Sequence, residues 1–189
     1  MRASIRPLIW SVAVATTLAL PTVARAQQPL DPIQVSARTV EADKLDARAA
    51  AYEESGSWRK WGKAAGLREK AAGLRTPGDA RAFKSLQTAA YVRHALKQRA
   101  SALSLMERAA DQALASGDVF NAAAGYADVA SIAQELRDGD RVRRYAEKSA
   151  LLTRSPLLNA ADRQWLQHRL AMGTLDTSRA LAVATPTQP

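Results

Sequence analysis

Laid over itself with a shift of about 40 residues, the stretch from Leu86 to Ser149 keeps its pattern of large and small side chains. Leu86 falls on Tyr126, Ala90 on Ala130, Ala102 on Val142 and Met106 on Ala146. The frame extends upstream to Leu45 and Ala49, and downstream to Leu166 and Leu170. A large residue followed four places later by a small one recurs as Leu45/Ala49, Leu86/Ala90 and Tyr126/Ala130, the spacing of one helix face. A fixed period of this kind means stacked copies of one supersecondary unit, none of which can bury its own apolar stripe alone. Alanine is abundant, aromatics make up 5% and β-branched runs are absent, which suits close-packed helices and not strands. The expected fold class is all-α.

Punctuation divides the period into hairpins. Gln27 to Arg38, with Pro29 and Pro32, reads as an extended leader. A first helix is expected over Val40–Ser55, and Gly56-Ser57 stops it, with Ser57 placed to cap a second helix over Trp58–Leu74. Thr76-Pro77-Gly78-Asp79 is a strong break with Asp79 as the next N-cap. No Gly or Pro lies between Asp79 and Ser116, but a single helix of that length is improbable in a small domain. The register places a turn at Lys97–Arg99, opposite the turn at Asp138-Gly139-Asp140. Asp118 caps a fifth helix, Asp140 a sixth, and Asn159 with Asp162 opens a seventh in the manner of a capping box. The repeat domain then covers 39–172, with units 39–76, 79–117 and 118–156, a cap at 159–172 and a flexible tail at 173–189.

Leu45…Ala49…Tyr52…Gly56-Ser57-Trp58, Leu86…Ala90…Ala102…Met106…Ala109 and Tyr126…Val129-Ala130…Gly139-Asp140…Tyr145-Ala146 resemble the tetratricopeptide repeat family. The resemblance covers about Val40 to Met172 and implies a right-handed α-solenoid of three antiparallel helix hairpins plus a C-terminal capping helix. The pattern departs from the family in its longer period, about 40 residues against about 34, and in bulky Trp61 at a usually small position. The resemblance also implies a partner-binding groove on the first-helix side of each pair. Its candidates here are Lys84, Gln87, Tyr91, His94, Ser131 and Gln134, flanked by Asp43, Asp46, Glu53, Glu54, Glu135, Gln164 and Gln167. Tyr91 is the anchor candidate, because aromatics dominate interface energetics; a helix-packing tyrosine is the equal alternative. The Lys/Asn cluster with which some members clamp a peptide carboxylate is missing from this set.

Chemistry is sparse. Ser57-Trp58-Arg59-Lys60 matches S-x-x-K, but no S-D-N or K-T-G completes an acyl-transfer site. The two histidines, His94 and His168, fall in different units, so no helical ligand pair exists, and no cysteine offers a thiolate or a disulfide. No enzyme, metal or cofactor is expected. The first 26 residues combine Arg2 and Arg6 with an apolar run from Leu8 to Leu20 and Ala24-Arg25-Ala26, the pattern of a signal peptide cleaved near Ala26/Gln27. Export to the periplasm or outside the cell is the expectation, with a retained anchor as the alternative. Losing Arg2, Arg6 and Arg25 takes the net charge from +9 to +6.

Charge is uneven. The first helix carries Asp43, Asp46, Glu53 and Glu54, the second Arg59, Lys60, Lys63, Arg68, Lys70 and Arg75. One reading is an acidic groove wall with a basic back touching anionic lipid or another polyanion through Arg59, Lys60, Lys63 and Lys70. The other is two faces that satisfy each other. Nucleic acid is disfavoured, since no aromatics interleave with the basic residues. The expected function is a scaffold that binds a protein or peptide partner in a polar groove, with a structural subunit of an envelope assembly as the rival.

Overall fold

The computed structural model describes residues 31–172 as seven helices: α1 Pro32–Glu54, α2 Trp58–Leu74, α3 Ala80–Ala95, α4 Arg99–Ala115, α5 Val119–Glu135, α6 Gly139–Thr153 and α7 Ala160–Met172. The segment expected to be a signal peptide, residues 27–30 of the expected leader and the expected tail all lie outside the described residues. No described residue is in a strand, and each helix from α1 to α6 packs on its chain neighbours, giving a solenoid-like stack of hairpins. Helix α7 packs on both α5 and α6. Among the described residues no helix is long and apolar enough to cross a membrane.

The helix boundaries follow from a turn that recurs every 20 residues. Lys97, Gly117 and Arg137 each adopt a left-handed conformation, with φ of 62°, 79° and 59°. At each, two bonds close the end of the preceding helix: Lys97 N–H to His94 O and Gln98 N–H to Arg93 O, and the equivalents at Gly117/Asp118 and Arg137/Asp138. This is the Schellman arrangement, which satisfies carbonyls that the helix end leaves open. It explains how the α3–α4 turn forms at Lys97 with no glycine. The left-handed residue costs roughly 1–2 kcal/mol, and the paired end bonds offset that cost.

Two caps differ from expectation. Asp138, and not Asp140, caps α6, accepting from Arg141 N–H at 3.1 Å, because the 20-residue turn places the cap directly after Arg137. Ser57 occupies the N-cap of α2 but its hydroxyl makes no cap bond. Asp79 and Asp118 cap α3 and α5, and Asn159 Oδ1 accepts from Asp162 N–H at 2.8 Å at the start of α7. The leader is corrected as well. Helix α1 starts at Pro32, with Asp31 accepting from Ile33 N–H at 2.9 Å, since proline fits the first helical position where its missing N–H is not needed.

The core runs along the alanine stripes. Leu86 and Tyr126, equivalent in the repeat, are each 2% exposed, and Ala89, Ala102, Met106, Ala109, Ala113, Val129 and Ile132 are fully enclosed. Helix α5 is central: every residue from Ala122 to Ala133 is buried. A second cluster of Ala123, Ala124, Leu158 and Leu166 seals α5 beneath α7, with the Phe120 and Trp165 rings 5.3 Å apart. Leu166 is fully buried, so α7 covers the end of the stack as a cap does.

Candidate interaction surface

Alternate helices are stitched together by polar side chains on one side of the stack. Asp128 of α5, 1% exposed, accepts from the Tyr91 hydroxyl of α3 at 2.6 Å and from Arg169 Nε of α7 at 3.0 Å. His94 Nε2 of α3 donates to Glu135 Oε1 of α5 at 2.7 Å, and Arg99 Nε donates to the second carboxylate oxygen. Ser85 of α3 donates to Asp46 of α1 at 2.8 Å. The four pairs that join odd-numbered helices lie 37 to 41 residues apart in the chain, about one structural period, so they tie each odd-numbered helix to the next. The bonds from Arg99 and His94 hold the Glu135 carboxyl below its ordinary pKa, against the upward push of burial.

The acidic face of α1 does not form an open groove wall. Glu53 is buried and takes a two-point bond from Arg68 of α2, at 2.7 Å from Nε and 2.6 Å from Nη2. Arg75 Nη2 donates to Asp43 at 2.9 Å and to Asp46 at 2.7 Å. Burial works against the Arg68 charge, but Glu53 and Asp46 outweigh it and raise its pKa. Three of the four expected wall acids, Asp43, Asp46 and Glu53, are therefore paired with arginines of α2 and its C-terminal cap, while Glu54 stays exposed. What stays on the surface of α2 is Arg59, Lys60, Lys63 and Lys70, together with Trp58, which is 62% exposed with its ring 5.3 Å from that of Trp61.

The six groove candidates divide by burial. Lys84 and Gln134 are exposed, and Gln87 is half-buried. Tyr91 is half-buried with its hydroxyl bound to Asp128, so it packs between helices as well as lying near the surface. His94 is 9% exposed and joins α3 to α5. Ser131 is corrected: it is 8% exposed, with its hydroxyl donating to Ala127 O at 3.2 Å, because α5 is enclosed on all sides at that depth. Gln164 and Gln167 are exposed on α7.

Asp128 and Arg169 escaped sequence reasoning. Their signal was present: a lone carboxylate inside the alanine-rich run Ala122–Ala133 must find a cation or several donors once buried. On the even-helix side, Tyr126 donates to Asp111 at 2.7 Å and stacks on Tyr145, ring centroids 5.7 Å apart, with Lys148 Nζ above both rings. Burial, then Asp111, pushes the Tyr126 phenol above the tyrosine range, which makes it a fixed donor and not an acid. Among the described residues no group of three or more His, Cys, Asp or Glu side chains could hold a metal ion. No family model matches the chain, and no curated protein or solved structure matches it either.

Proposed function

We propose that the protein is an exported, non-enzymatic interaction scaffold of tetratricopeptide-like build, which binds a peptide or helix of a protein partner along its odd-numbered helices. The observation that carries this reading is the polar stitching of α3 to α5 and of α5 to α7 through Asp128 and Glu135. It makes three helices one preorganised surface, and preorganisation lowers the entropic cost of binding. Lys84, Gln87 and Gln134 project from that surface with their polar ends available. The test is capture of partners by the purified chain and by a Lys84→Ala/Gln87→Ala/Gln134→Ala variant, with helicity checked by circular dichroism. These three are the right targets because changing Tyr91 or His94 also cuts the stitching. A partner held by the parent and lost by the folded variant supports the reading; a partner held equally by both overturns the surface.

A second reading has its own observation. Trp58 is exposed in the first turn of α2, which with the turn after it also carries Arg59, Lys60 and Lys63, and none of these three cations pairs with a carboxylate among the described residues. An exposed tryptophan with flanking cations suits the interface of an anionic bilayer. Under this reading the protein is a peripheral subunit of an envelope assembly. Vesicles containing phosphatidylglycerol should retain the parent at low salt and release a Trp58→Ala/Lys60→Ala variant. Equal retention of both would exclude it.

A further inference from the structure

Gly56, Gly78 and Gly117 hold left-handed turns, but Lys97 and Arg137 hold two more, with φ of 62° and 59°. Glycine adopts that conformation without steric cost, and a long side chain does not. Strain at a position where glycine would relieve it points to a use for the side chain. The turns that close the hairpins, at Gly56, Lys97 and Arg137, lie at one end of the stack, because α1, α3 and α5 run in the same direction. They are neighbours there: a Cβ at Gly62 in α2 would lie 3.9 Å from Leu96 Cδ1, and Arg99 and His94 both reach Glu135. This edge exposes Arg59, Lys60, Lys97 and Arg137, together with Trp58 and Leu136, which are 62% and 39% exposed. None of the four cations forms an ion pair among the described residues. The acids around them are mostly taken, Glu135 by Arg99 and His94, Asp138 by Arg141 and Asp140 by Arg143, which leaves Glu54. The edge therefore carries an excess of positive charge in open contact with water.

Resting on the bilayer reading of Trp58, we infer that this end of the stack is a membrane-docking edge. The hairpin turns stand on an anionic bilayer, with Arg59, Lys60, Lys97 and Arg137 at the headgroups and Trp58 and Leu136 entering the interface. Two exposed apolar side chains among the cations favour a bilayer over a soluble polyanion, which offers an indole and a leucine no apolar phase to enter. Contact through turn tips, and not through the flank of α2, sets the orientation. The helix axes stand up from the surface, and the odd-numbered face stays open to a protein partner. Lys70 lies ten residues past Lys60. That is about 15 Å up the helix, more than the Debye length of about 8 Å at physiological salt, so Lys70 contributes little.

Co-sedimentation of the purified chain with vesicles tests the edge, with phosphatidylglycerol-containing vesicles set against pure phosphatidylcholine, and heparin as a soluble polyanion. Lys97→Gly/Arg137→Gly removes two charges and the backbone strain together, so it should melt no lower than the parent. Lys70→Gln/Lys84→Gln removes two exposed charges towards the opposite end of the stack. The parent should bind the anionic vesicles and not the neutral ones. A cation at an anionic surface contributes about fivefold, so the glycine variant should bind about tenfold or more weakly. The Lys70/Lys84 variant should stay within about twofold of the parent. If the glycine variant binds like the parent while Trp58→Ala/Lys60→Ala is released, α2 alone makes the contact; the edge is then overturned and the bilayer reading stands. No retention of the parent overturns both. Equal losses in the two double variants reduce the effect to net charge. A glycine variant that loses heparin but keeps the vesicles assigns the edge to a soluble polyanion. Either of these last results overturns the docking edge.

Discussion

Asp128 shows how much a single side chain can hold together. It is 2% exposed at the side chain, and its ion-pair partner Arg169 is 10% exposed, so both charges have given up most of their water. Removing one partner of such a pair leaves the other buried and unpaired, at a cost of about 3–5 kcal/mol. Asp128→Asn should therefore lower the unfolding free energy by an amount in that range, read as a lower urea midpoint with little change in slope. A midpoint within experimental error of the parent would mean that α7 is not docked through this pair. Glu135 adds a pH dependence at the same seam. Its folded pKa lies below the ordinary 4.5, because the bonds from Arg99 and His94 overcome burial. A depressed acid contributes stability that is complete above its unfolded pKa and is lost as pH falls through the folded value. Glu135→Gln should be less stable than the parent at neutral pH, and the gap should narrow as both are taken below pH 4.5. A gap constant down to the lowest pH would remove Glu135 from the acid limb.

At the scale of the element, glycine separates propensity from packing. Gly125 lies where α5 crosses α4: an added Cβ would sit 2.9 Å from Ala110 Cβ and 3.3 Å from Ala110 Cα. Gly66, in the middle of α2, has nothing within 4 Å of the same position. Alanine is the better helix former by roughly 0.5–1 kcal/mol, so Gly66→Ala should stabilise by about that much. Gly125→Ala should instead destabilise by about 1–3 kcal/mol, since Ala110 is backbone and methyl only and cannot turn aside. Thermal melts of the two variants should move in opposite directions; a shared direction would place the α4–α5 crossing elsewhere. These elements were largely legible in the sequence. The register that equates Leu86 with Tyr126 survives because both positions fill the same inter-helix space, and the Lys97 turn was found from period alone. The start of α1 was not legible: Pro29 and Pro32 read as extended chain, although Asp31-Pro32 is also a helix opening. The polar seam was legible only in part. Tyr91 and His94 stood out as residue types, but their partners lie 37 and 41 residues on, and that choice depends on the stagger between helices, which no sequence period states.

The whole molecule is a stack in which stability passes from neighbour to neighbour, so its ends decide whether the middle survives. The two ends are unequal. At the C-terminal end of the described stack α7 encloses Leu166 completely, sets Trp165 against Phe120 and gives Asp128 its cation, all against the most buried of the described helices. At the N-terminal end α1 rests on α2 mostly through small side chains, Ala42 and Ala49, and through the ion pairs of Glu53 and Asp46. Loss of α7 exposes the Ala123, Ala124 and Leu158 cluster and strands a buried carboxylate in α5, whereas loss of α1 strands charges at the edge of the stack, where water can reach them. A chain ending at Asn159 should accordingly bind a hydrophobic dye and lose cooperative unfolding. Leu166→Ala, which keeps the helix and removes only its buried contact, should cost about 2–5 kcal/mol while unfolding stays two-state. Hydrogen exchange locates the effect: amides of Ala122–Ala133, which their burial should make slow to exchange in the parent, should become faster in Leu166→Ala before those of α2 do. If α2 amides respond as much as those of α5, the chain unfolds as one body and the nearest-neighbour description fails.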